Sequence, residues 1–288
     1  MKRRQLFEFG DQHWLPRSLR RYLMELLSYQ TGIIYQQALP VLIGALQKTK
    51  TREILDLCSG SGGPWPRLAP LLNARAPYPI HVLLSDKFPP EVFNDTDVLR
   101  YHPQPIDTLG AKQGLPKFRT LFTGFHHYKP DEARQLLQQT VEDGAHLAIF
   151  EFTSRNRQNV NSMLGAPALV WRLSRQLKPL GFFRWFWTYF IPIIPLLYTW
   201  DGWVSHWRSY STDELRQLAS GLTAGNYRWE AGEIHLPNLS DKVTQAEGAE
   251  KKSKHAHKKI TYLIGYNLTA LPQKKSNRLT AQSKLQAK

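Results

Sequence analysis

The chain has 288 residues, of which 42% are hydrophobic, and a formal net charge of +15 at pH 7. This length and composition exclude a disordered chain and predict one substantial core, in a single domain with an added subdomain. Cys58 is the only cysteine, which excludes an internal disulfide framework and favours a reducing compartment. The expected location is therefore cytoplasmic, and residues 1–21 contain no apolar core segment of a signal peptide.

The positive charge is concentrated at the edges of the chain. Basic residues cluster at 2–4, 251–259 and 274–288, and the segment 271–288 is predicted to be a disordered basic tail. A groove that reads a specific nucleic acid would spread its charge through the folded body. We therefore predict no specific nucleic-acid partner, although such clusters attract anionic lipid or RNA without specificity. His255 and His257 lie among lysines with no acid or cysteine at ligand spacing, so no metal site is predicted.

Residues 1–50 are predicted to form an N-terminal helical cap. Aromatic and acidic residues at 5–15 precede Pro16 and form either a lid over a site or a segment packed on the core. Trp14 is the candidate substrate contact in this stretch. Helical spacing of apolar residues follows at 17–29 and 33–46, where Pro40 marks a kink or a fresh start.

The most informative stretch is 54–63, Ile-Leu-Asp-Leu-Cys-Ser-Gly-Ser-Gly-Gly. An apolar run that ends in an acid predicts a buried parallel strand, and the glycines let the backbone approach a ligand closely. Dinucleotide-binding proteins use Gly-x-Gly-x-x-Gly to place a pyrophosphate on a helix N-terminus. Here the order is Asp56-x-Cys58-x-Gly60-x-Gly62, and the carboxylate of Asp56 would repel a pyrophosphate but attract an ammonium or a sulfonium.

This stretch resembles the first motif of class I S-adenosylmethionine-dependent methyltransferases, whose usual form is acidic-x-Gly-x-Gly-x-Gly; Cys58 replaces the first glycine. The resemblance implies a Rossmann-like, doubly wound α/β sheet of seven mostly parallel strands in the order 3-2-1-4-5-7-6, with the last strand antiparallel. It also implies S-adenosyl-L-methionine as the cofactor. The loop residues implied as cofactor contacts are Asp56, Ser59, Gly60, Ser61 and Gly62.

Two further acids match later positions of the family pattern. The apolar run 80–84 predicts a second strand that leads to Asp86 and Lys87, where a carboxylate can accept both ribose hydroxyls of an adenosine. A weaker strand is predicted at 101–107, and its end at Asp107 is where the family places a polar residue against the adenine amino group. Asp86, Lys87 and Asp107 are therefore expected to contact the cofactor.

Residues that face the substrate follow the fourth strand in this family. A strand is predicted at 118–125, and the loop after it carries His126, His127 and Tyr128. A histidine with a pKa near neutrality suits a proton acceptor or a group that orients the substrate. His126 or His127 is therefore the candidate catalytic residue, and Tyr128 is a candidate substrate contact.

A helix predicted from Pro130 to Gly144 separates that loop from a fifth strand at 145–152. Near the end of this strand, Glu151 is a candidate substrate contact or an ion-pair partner of Arg155. Enzymes that methylate the amino groups of adenine or cytosine carry Asn or Asp followed by Pro-Pro-aromatic after the fourth strand, and this chain has no such motif there. The acceptor is therefore expected to be of another kind.

An aromatic insertion is predicted at 153–210, after the fifth strand, and it contains six of the nine tryptophans. The apolar run at 185–200 is too short to span a bilayer, and Pro192 and Pro195 would break its helix. Two alternatives remain open. The insertion is either a lid that lines the substrate pocket or, over residues 171–207, a contact with an anionic membrane surface. The flanking basic residues that would suit a membrane interface are Arg172, Arg175, Lys178 and Arg184.

A helix predicted from Thr212 and strands predicted at 227–236 and 260–267 complete a methyltransferase domain at 51–270, as the resemblance implies. The expected function is transfer of a methyl group to a small apolar or aromatic acceptor, which would be lipid-like if the insertion meets a membrane. The alternative is a non-catalytic protein of the same fold that binds S-adenosylmethionine and acts through membrane or RNA contacts. The sequence does not predict the oligomeric state.

Overall fold

The computed structural model describes residues 1–110, 114–178, 181–222, 226–236 and 258–271. The predicted tail from residue 272 onwards and the pair His255 and His257 lie outside the described residues. Within them, the strands are β1 Glu53–Leu57, β2 His81–Leu84, β3 Leu99–Tyr101, β4 Phe118–Phe122, β5 His146–Glu151, β6 Tyr227–His235 and β7 Lys259–Asn267. The α-helices are α1 Arg17–Ile34, α2 Leu39–Thr49, α3 Trp65–Asn73, α4 Pro130–Glu142, α5 Arg157–Ser162, α6 Ala166–Ser174, α7 Phe182–Trp185, α8 Ile193–Arg208 and α9 Thr212–Ala219.

All seven of these strands form one sheet in the order β3-β2-β1-β4-β5-β7-β6. The pairs from β3 to β5 are parallel, and β7 is antiparallel to both β5 and β6. The predicted fold class and strand order are therefore confirmed. The order reverses between β1 and β4, and in open α/β sheets ligands bind in the crevice at the carboxyl ends of the strands at such a reversal.

Alternate residues of each central strand contact opposite helical layers. In β1, Ile54 packs in the cluster that includes α2 and α3, whereas Leu55 packs in the cluster that includes α4 and α9. In β5, Phe150 and Ile149 divide between the same two clusters. Side chains of a strand point alternately to its two faces, so the parallel strands are covered on both sides and only their ends open to ligands.

The insertion packs with the first helix in a third cluster. Tyr22, Leu23 and Leu26 of α1 contact this cluster together with Val170 of α6 and Ile194 of α8. Helix α2, in contrast, packs against the sheet. The residues of the predicted N-terminal cap therefore belong to two different clusters, and the division of the chain at residues 50, 153, 210 and 270 stays a prediction.

Two predicted strand boundaries are wrong. The third strand is Leu99–Tyr101 rather than 101–107, because Pro103 and Pro105 have no N–H to donate to a ladder. The fourth strand ends at Phe122 rather than at residue 125, since the next residue has a φ of 53° and residues 125–127 form a 3₁₀ turn. The loop after β4 therefore begins earlier, and the two histidines lie within a helical turn.

The aromatic run of the insertion is broken rather than continuous. A π-helix at Phe186–Phe190 ends before Pro192, and α8 begins at the following residue. Arg184 was expected to flank a membrane interface. Instead it is buried and pairs with Glu25 of α1. A buried charge is strongly destabilising without such a partner. Within the described part of the chain, we find no helix whose length and hydrophobicity would let it span a bilayer.

Candidate functional site

The loop between β1 and α3 has a left-handed backbone at four positions. Cys58, Gly60, Gly62 and Gly63 have φ values of 56°, 52°, 102° and 52°. The N–H of Gly62 donates to the carbonyl of Ser59 at 2.8 Å and closes the turn. Left-handed φ values favour glycine over other residues, so the glycine pattern of the sequence sets the shape of this loop. The loop lies at the carboxyl end of β1, beside the reversal in strand order.

Asp56 fixes the loop from inside the sheet. Its side chain accepts hydrogen bonds from Ser59 Oγ and from Thr120 Oγ1, both at 2.6 Å, and the residue is 1% exposed. Burial raises the pKa of Asp56 to about 6, although the two hydroxyl groups oppose that rise. The carboxylate therefore links β1 to β4 and holds the Ser59 side chain. Direct contact of Asp56 with the cofactor stays a prediction.

The acid after β2 lies against the same loop. Asp86 Oδ2 accepts the N–H of Gly60 at 2.8 Å, and its Oδ1 accepts a second backbone N–H at 2.8 Å. Burial raises the pKa of Asp86. Lys87 Nζ lies 3.3 Å from Asp107 Oδ2, and the N–H of Ile106 donates to the carbonyl of Asp86 at 2.9 Å. The structure thus brings together the three residues after β2 and β3 that the sequence assigned to the cofactor.

The glycine loop contacts the loop that follows β4. Cys58 Sγ lies 3.2 Å from Thr108 Oγ1 and 3.4 Å from Tyr128 Oη. A Cβ atom placed on Gly124 would lie 3.3 Å from Cys58 Cβ, so the two loops meet at van der Waals distance. Burial raises the pKa of Cys58 to about 12, which keeps this thiol neutral at ordinary pH.

His126 lies between two carboxylates. Its side chain is 1% exposed, its Nδ1 is 2.8 Å from Glu151 Oε2, and its Nε2 is 3.6 Å from Glu8 Oε1. Burial alone would lower the pKa of His126, but Glu151 and Glu8 raise it to about 10. An imidazole that already carries two protons at neutral pH cannot accept another. This geometry favours a positioning role for His126 over the predicted role of proton acceptor.

Glu151 anchors the loop after β4 to the end of β5. Its Oε1 accepts the backbone N–H groups of Phe125 and His126 at 2.7 and 3.2 Å, and the residue is 2% exposed. The alternative that Glu151 pairs with Arg155 is wrong, because Arg155 pairs with Glu214 in α9. Both oxygens of Glu151 contact groups of this chain. Contact between Glu151 and a substrate stays a prediction.

His127 is the more accessible of the two histidines, with a side chain 33% exposed. Its Nδ1 is 3.1 Å from Asp11 Oδ1, and its Nε2 is 3.7 Å from Glu8 Oε2. Arg208 Nη1 lies 3.2 Å from Glu8 Oε1 and 3.1 Å from Asp11 Oδ2. Burial would raise the pKa values of Glu8 and Asp11, but His127 and Arg208 hold both below their usual range. Both acids are therefore ionised at neutral pH.

The N-terminal segment crosses this edge of the sheet. Arg3 donates to the carbonyls of His126 and Tyr128 at 3.0 and 2.8 Å. The backbone N–H groups of residues 9 and 10 donate to Asp201 of α8 at 2.6 and 2.9 Å. These bonds hold the 3₁₀ turn Phe9–Asp11 and the preceding Glu8 beside the two histidines. The segment thus lies over the loop after β4 and supplies it with two acids.

Aromatic rings continue from this segment toward solvent. The ring centroids of Phe9 and Trp14 are 5.9 Å apart, those of Phe7 and Phe9 are 5.2 Å apart, and those of Phe7 and Trp200 are 5.5 Å apart. Trp14 is 66% exposed and Phe7 is 48% exposed. Because Glu8 and Asp11 belong to the same short segment, these rings form an apolar rim beside the polar site.

Three residues of the site were missed by the sequence reasoning: Glu8, Asp11 and Arg208. Glu8 and Asp11 lie in the stretch that was interpreted as a lid or a packed segment. Two acids three positions apart among aromatic residues are a signal that could have indicated them. Arg208 has no comparable signal, because it lies 197 residues from Asp11 in the sequence and only the fold brings the two together.

Solved structures of methyltransferases resemble this one. The plantazolicin methyltransferase BpumL in complex with SAH is 12% identical, with a TM-score of 0.51 over 90% of this chain and 94% of that chain. BpumL in complex with a monoazolic desmethylPZN analog and SAH is 12% identical, with a TM-score of 0.52 over 87% of this chain and 91% of that chain. This chain has the class I methyltransferase fold. At such low identity the likeness shows the fold alone, and no protein-family model and no curated protein matches the sequence.

Proposed function

We propose that the protein is an S-adenosylmethionine-dependent methyltransferase that acts on a small apolar or aromatic acceptor. One observation carries the proposal: the left-handed glycine loop after β1 lies against Asp86 at the strand reversal of a methyltransferase fold. The complexes of BpumL with SAH lend support, because a chain of the same fold binds the demethylated cofactor.

The cofactor would lie across the carboxyl ends of β1 and β2. Asp86 would accept the ribose hydroxyls, since a carboxylate offers two oxygens to a diol. Lys87 and Asp107 would border the adenine. The backbone of Ser59, Gly60, Ser61 and Gly62 would hold the methionyl group, and Asp56 would support that backbone through Ser59.

The acceptor would enter beside the loop after β4. His127 is partly exposed there, with Tyr128 next to it and the aromatic rim with Trp14 nearby. Apolar and aromatic walls with a few polar groups are typical of small-molecule sites. His126 would hold the loop through Glu151, so that within the catalytic pair His127 faces the acceptor.

Methyl transfer would form one bond between the methyl carbon and a nucleophilic atom of the acceptor while the bond from carbon to the sulfonium breaks. Orientation of the two reactants supplies much of the rate of such a displacement. An acceptor that carries a proton must also lose it, and His127 is the partly exposed group in the pair that can receive it.

Transfer of labelled methyl groups tests this proposal. The purified protein and methyl-labelled S-adenosylmethionine would be added to a cell extract, which is then separated into small apolar molecules, lipids, proteins and nucleic acids. We expect label in the small-molecule or lipid fraction. Asp86→Asn should lower the incorporation at least tenfold, because it removes a charged hydrogen bond worth about 1.5–3 kcal/mol, whereas the exposed Asp97→Asn should not.

Two outcomes would contradict the proposal. Label found only in nucleic acid would refute the small acceptor. Binding of S-adenosylmethionine without transfer to any fraction would support the alternative, a non-catalytic protein of this fold that acts through membrane or RNA contacts.

A membrane contact of the insertion is part of the same proposal, with a lipid-like acceptor as its consequence. Phe182, Phe183 and Phe190 are 70%, 66% and 69% exposed, and Leu196 is 61% exposed. The rings of Phe182 and Phe190 each contact Phe186, with centroids 6.1 and 5.3 Å apart, and a contiguous exposed apolar patch often marks an interaction surface. Arg172, Arg175 and Lys178 are also exposed in the same insertion and would face anionic headgroups.

Flotation with liposomes tests this contact. The double variant F182S/F190S should reduce binding to liposomes that contain anionic lipid, and the exposed Val92→Ser, outside the insertion, should leave it unchanged. Binding that survives the double variant but is lost at high salt would assign the attachment to basic residues alone and refute the aromatic contact.

A further inference from the structure

Glu8, His126 and His127 turn one ligand atom each toward a common point. Among the described residues, these three offer a carboxylate oxygen and two imidazole nitrogens that lie within 4.8 Å of one another. Glu8 comes from the N-terminal segment and the histidines from the loop after β4. We refer to these three residues as the histidine–carboxylate cluster.

The spacing in this cluster is close to that of a metal site. Nε2 of His126 is 3.6 Å from Glu8 Oε1, and Nε2 of His127 is 3.7 Å from Glu8 Oε2. Bonds of about 2.0–2.1 Å in tetrahedral geometry separate two ligand atoms by roughly 3.3–3.4 Å. Each nitrogen–oxygen distance thus exceeds this separation by a few tenths of an ångström, and all three ligand atoms lie within 4.8 Å of one another.

A second observation points independently to a ligand. The side chain of His126 is 1% exposed, yet its Nε2 has no hydrogen-bond partner within the described part of the chain. Buried polar side-chain atoms in proteins nearly always have a partner. This nitrogen is directed toward Glu8 and His127, the other two members of the cluster.

The remaining nitrogen of each histidine is held by a carboxylate. Nδ1 of His126 is 2.8 Å from Glu151, and Nδ1 of His127 is 3.1 Å from Asp11. Histidines that bind metals commonly donate their other N–H to a carboxylate, which fixes the ring and directs Nε2 to the ion. Glu8 is fixed as well, because its Oε1 accepts from Ser205 Oγ at 3.0 Å.

The charges around the cluster leave room for a cation. Three carboxylates contact the histidines, from Glu8, Asp11 and Glu151. Arg208 is the cation that contacts Glu8 and Asp11 within the described residues. An ion at Nε2 would displace the second proton of His126. With both imidazoles neutral, the three carboxylates and Arg208 sum to two negative charges, which a divalent ion would neutralise.

We propose that Glu8, His126 and His127 bind a divalent transition-metal ion of the zinc class. Two imidazoles and one carboxylate suit such an ion, whereas magnesium and calcium prefer oxygen ligands. The sequence predicted no metal site, because Glu8 lies 118 positions before the two adjacent histidines and no motif joins them. The partly exposed edge of His127 gives the ion a path to the site.

Three protein ligands leave a coordination position for another group. An oxygen or nitrogen of the acceptor bound there would lose its proton more readily, because the ion stabilises the anion. With the ion bound, His127 would be a ligand and no longer the proton acceptor, and the ion would take over that role. The two proposals can still fail separately, because ion binding is measured without S-adenosylmethionine.

Titration of the metal-free full-length protein with zinc chloride tests the proposal. Calorimetry should show one ion bound per chain, and cobalt(II) should give visible absorption bands typical of imidazole and carboxylate ligands. His127→Gln and Glu8→Gln should each weaken zinc binding at least tenfold. His81→Gln, on an exposed histidine of β2, and the double variant H255Q/H257Q should retain the affinity of the wild type.

Circular dichroism would establish whether each variant is folded. If Glu8→Gln, which changes a buried residue, does not fold, His127→Gln decides the test. Failure of the wild type to bind zinc or cobalt would overturn the proposal and leave His126 as an ion-paired imidazolium. Undiminished one-to-one binding by His127→Gln would overturn it too, since the ion would then lie elsewhere.

Discussion

Glu151→Gln tests whether the end of β5 holds the two histidines in place. Glu151 accepts two backbone N–H groups at 2.7 and 3.2 Å and lies 2.8 Å from Nδ1 of His126. Glutamine keeps the shape of the side chain but places an NH₂ group against one of these donors. A lost hydrogen bond to a charged group costs about 1.5–3 kcal/mol, and an unsatisfied buried donor about 1–3 kcal/mol. The free energy of unfolding should therefore fall by about 3–5 kcal/mol, as for other broken buried ion pairs.

Urea unfolding followed by tryptophan fluorescence measures this loss. Glu142→Gln is the matched control, because Glu142 is exposed at the end of α4 and accepts one hydrogen bond, from Gln138. The control should change the free energy of unfolding by no more than about 0.5 kcal/mol. A loss below about 1 kcal/mol for Glu151→Gln would refute the view that this carboxylate supports the site.

Three further predictions concern packing and pH. Gly124→Ala would place a Cβ 2.9 Å from Leu121 Cδ2 and 3.3 Å from Cys58 Cβ and should destabilise the protein by about 1–3 kcal/mol. Gly44→Ala, in α2, would place a Cβ with no atom outside its own helix within 4 Å and should stabilise the protein by about 0.5–1 kcal/mol. A melting temperature equal to that of the wild type would contradict the prediction for either variant. Burial lowers the pKa of His146 to about 4, and its Nδ1 accepts the N–H of Asn267. The unfolded chain then binds more protons than the folded one below pH 6.5, so lowering the pH from 7 to 5 should cost about 1 kcal/mol through this group. His146→Asn should remove that part of the pH dependence of urea unfolding, and an unchanged slope would contradict the assignment.

The sequence predicted the sheet well because its signals are local. The apolar runs of the central strands, the glycines after β1 and the Pro130 start of α4 each act over a few residues. The third strand was misplaced, since Leu99–Tyr101 is too short to give a periodic signal. The end of β4 was missed because the positive φ of Thr123 is a response to tertiary contacts, including its hydroxyl contact with Tyr35 at 2.6 Å.

The site was predictable only in part, because some of its contacts depend on residues that are far apart in the sequence. Asp86 and the two histidines could be placed at one edge, because the carboxyl ends of parallel strands lie together. The direction of the Asp56 carboxylate could not be predicted, since a hydrogen bond from Thr120 of β4 holds it inside the sheet. The ion pairs of Glu8 and Arg208 join residues 200 positions apart, and long-range pairing of charges leaves no periodic pattern.

Titration of the purified protein with S-adenosylmethionine tests the central claim most directly. Calorimetry should show saturable binding of one molecule per chain, weakened at least tenfold in Asp86→Asn, which loses a charged hydrogen bond. The loop after β1 has the spacing Cys58-x-Gly60-x-Gly62 and lacks the Gly-x-Gly-x-x-Gly pattern of a dinucleotide site, so NAD should not compete. No binding of S-adenosylmethionine, or stronger binding of NAD, would contradict the account.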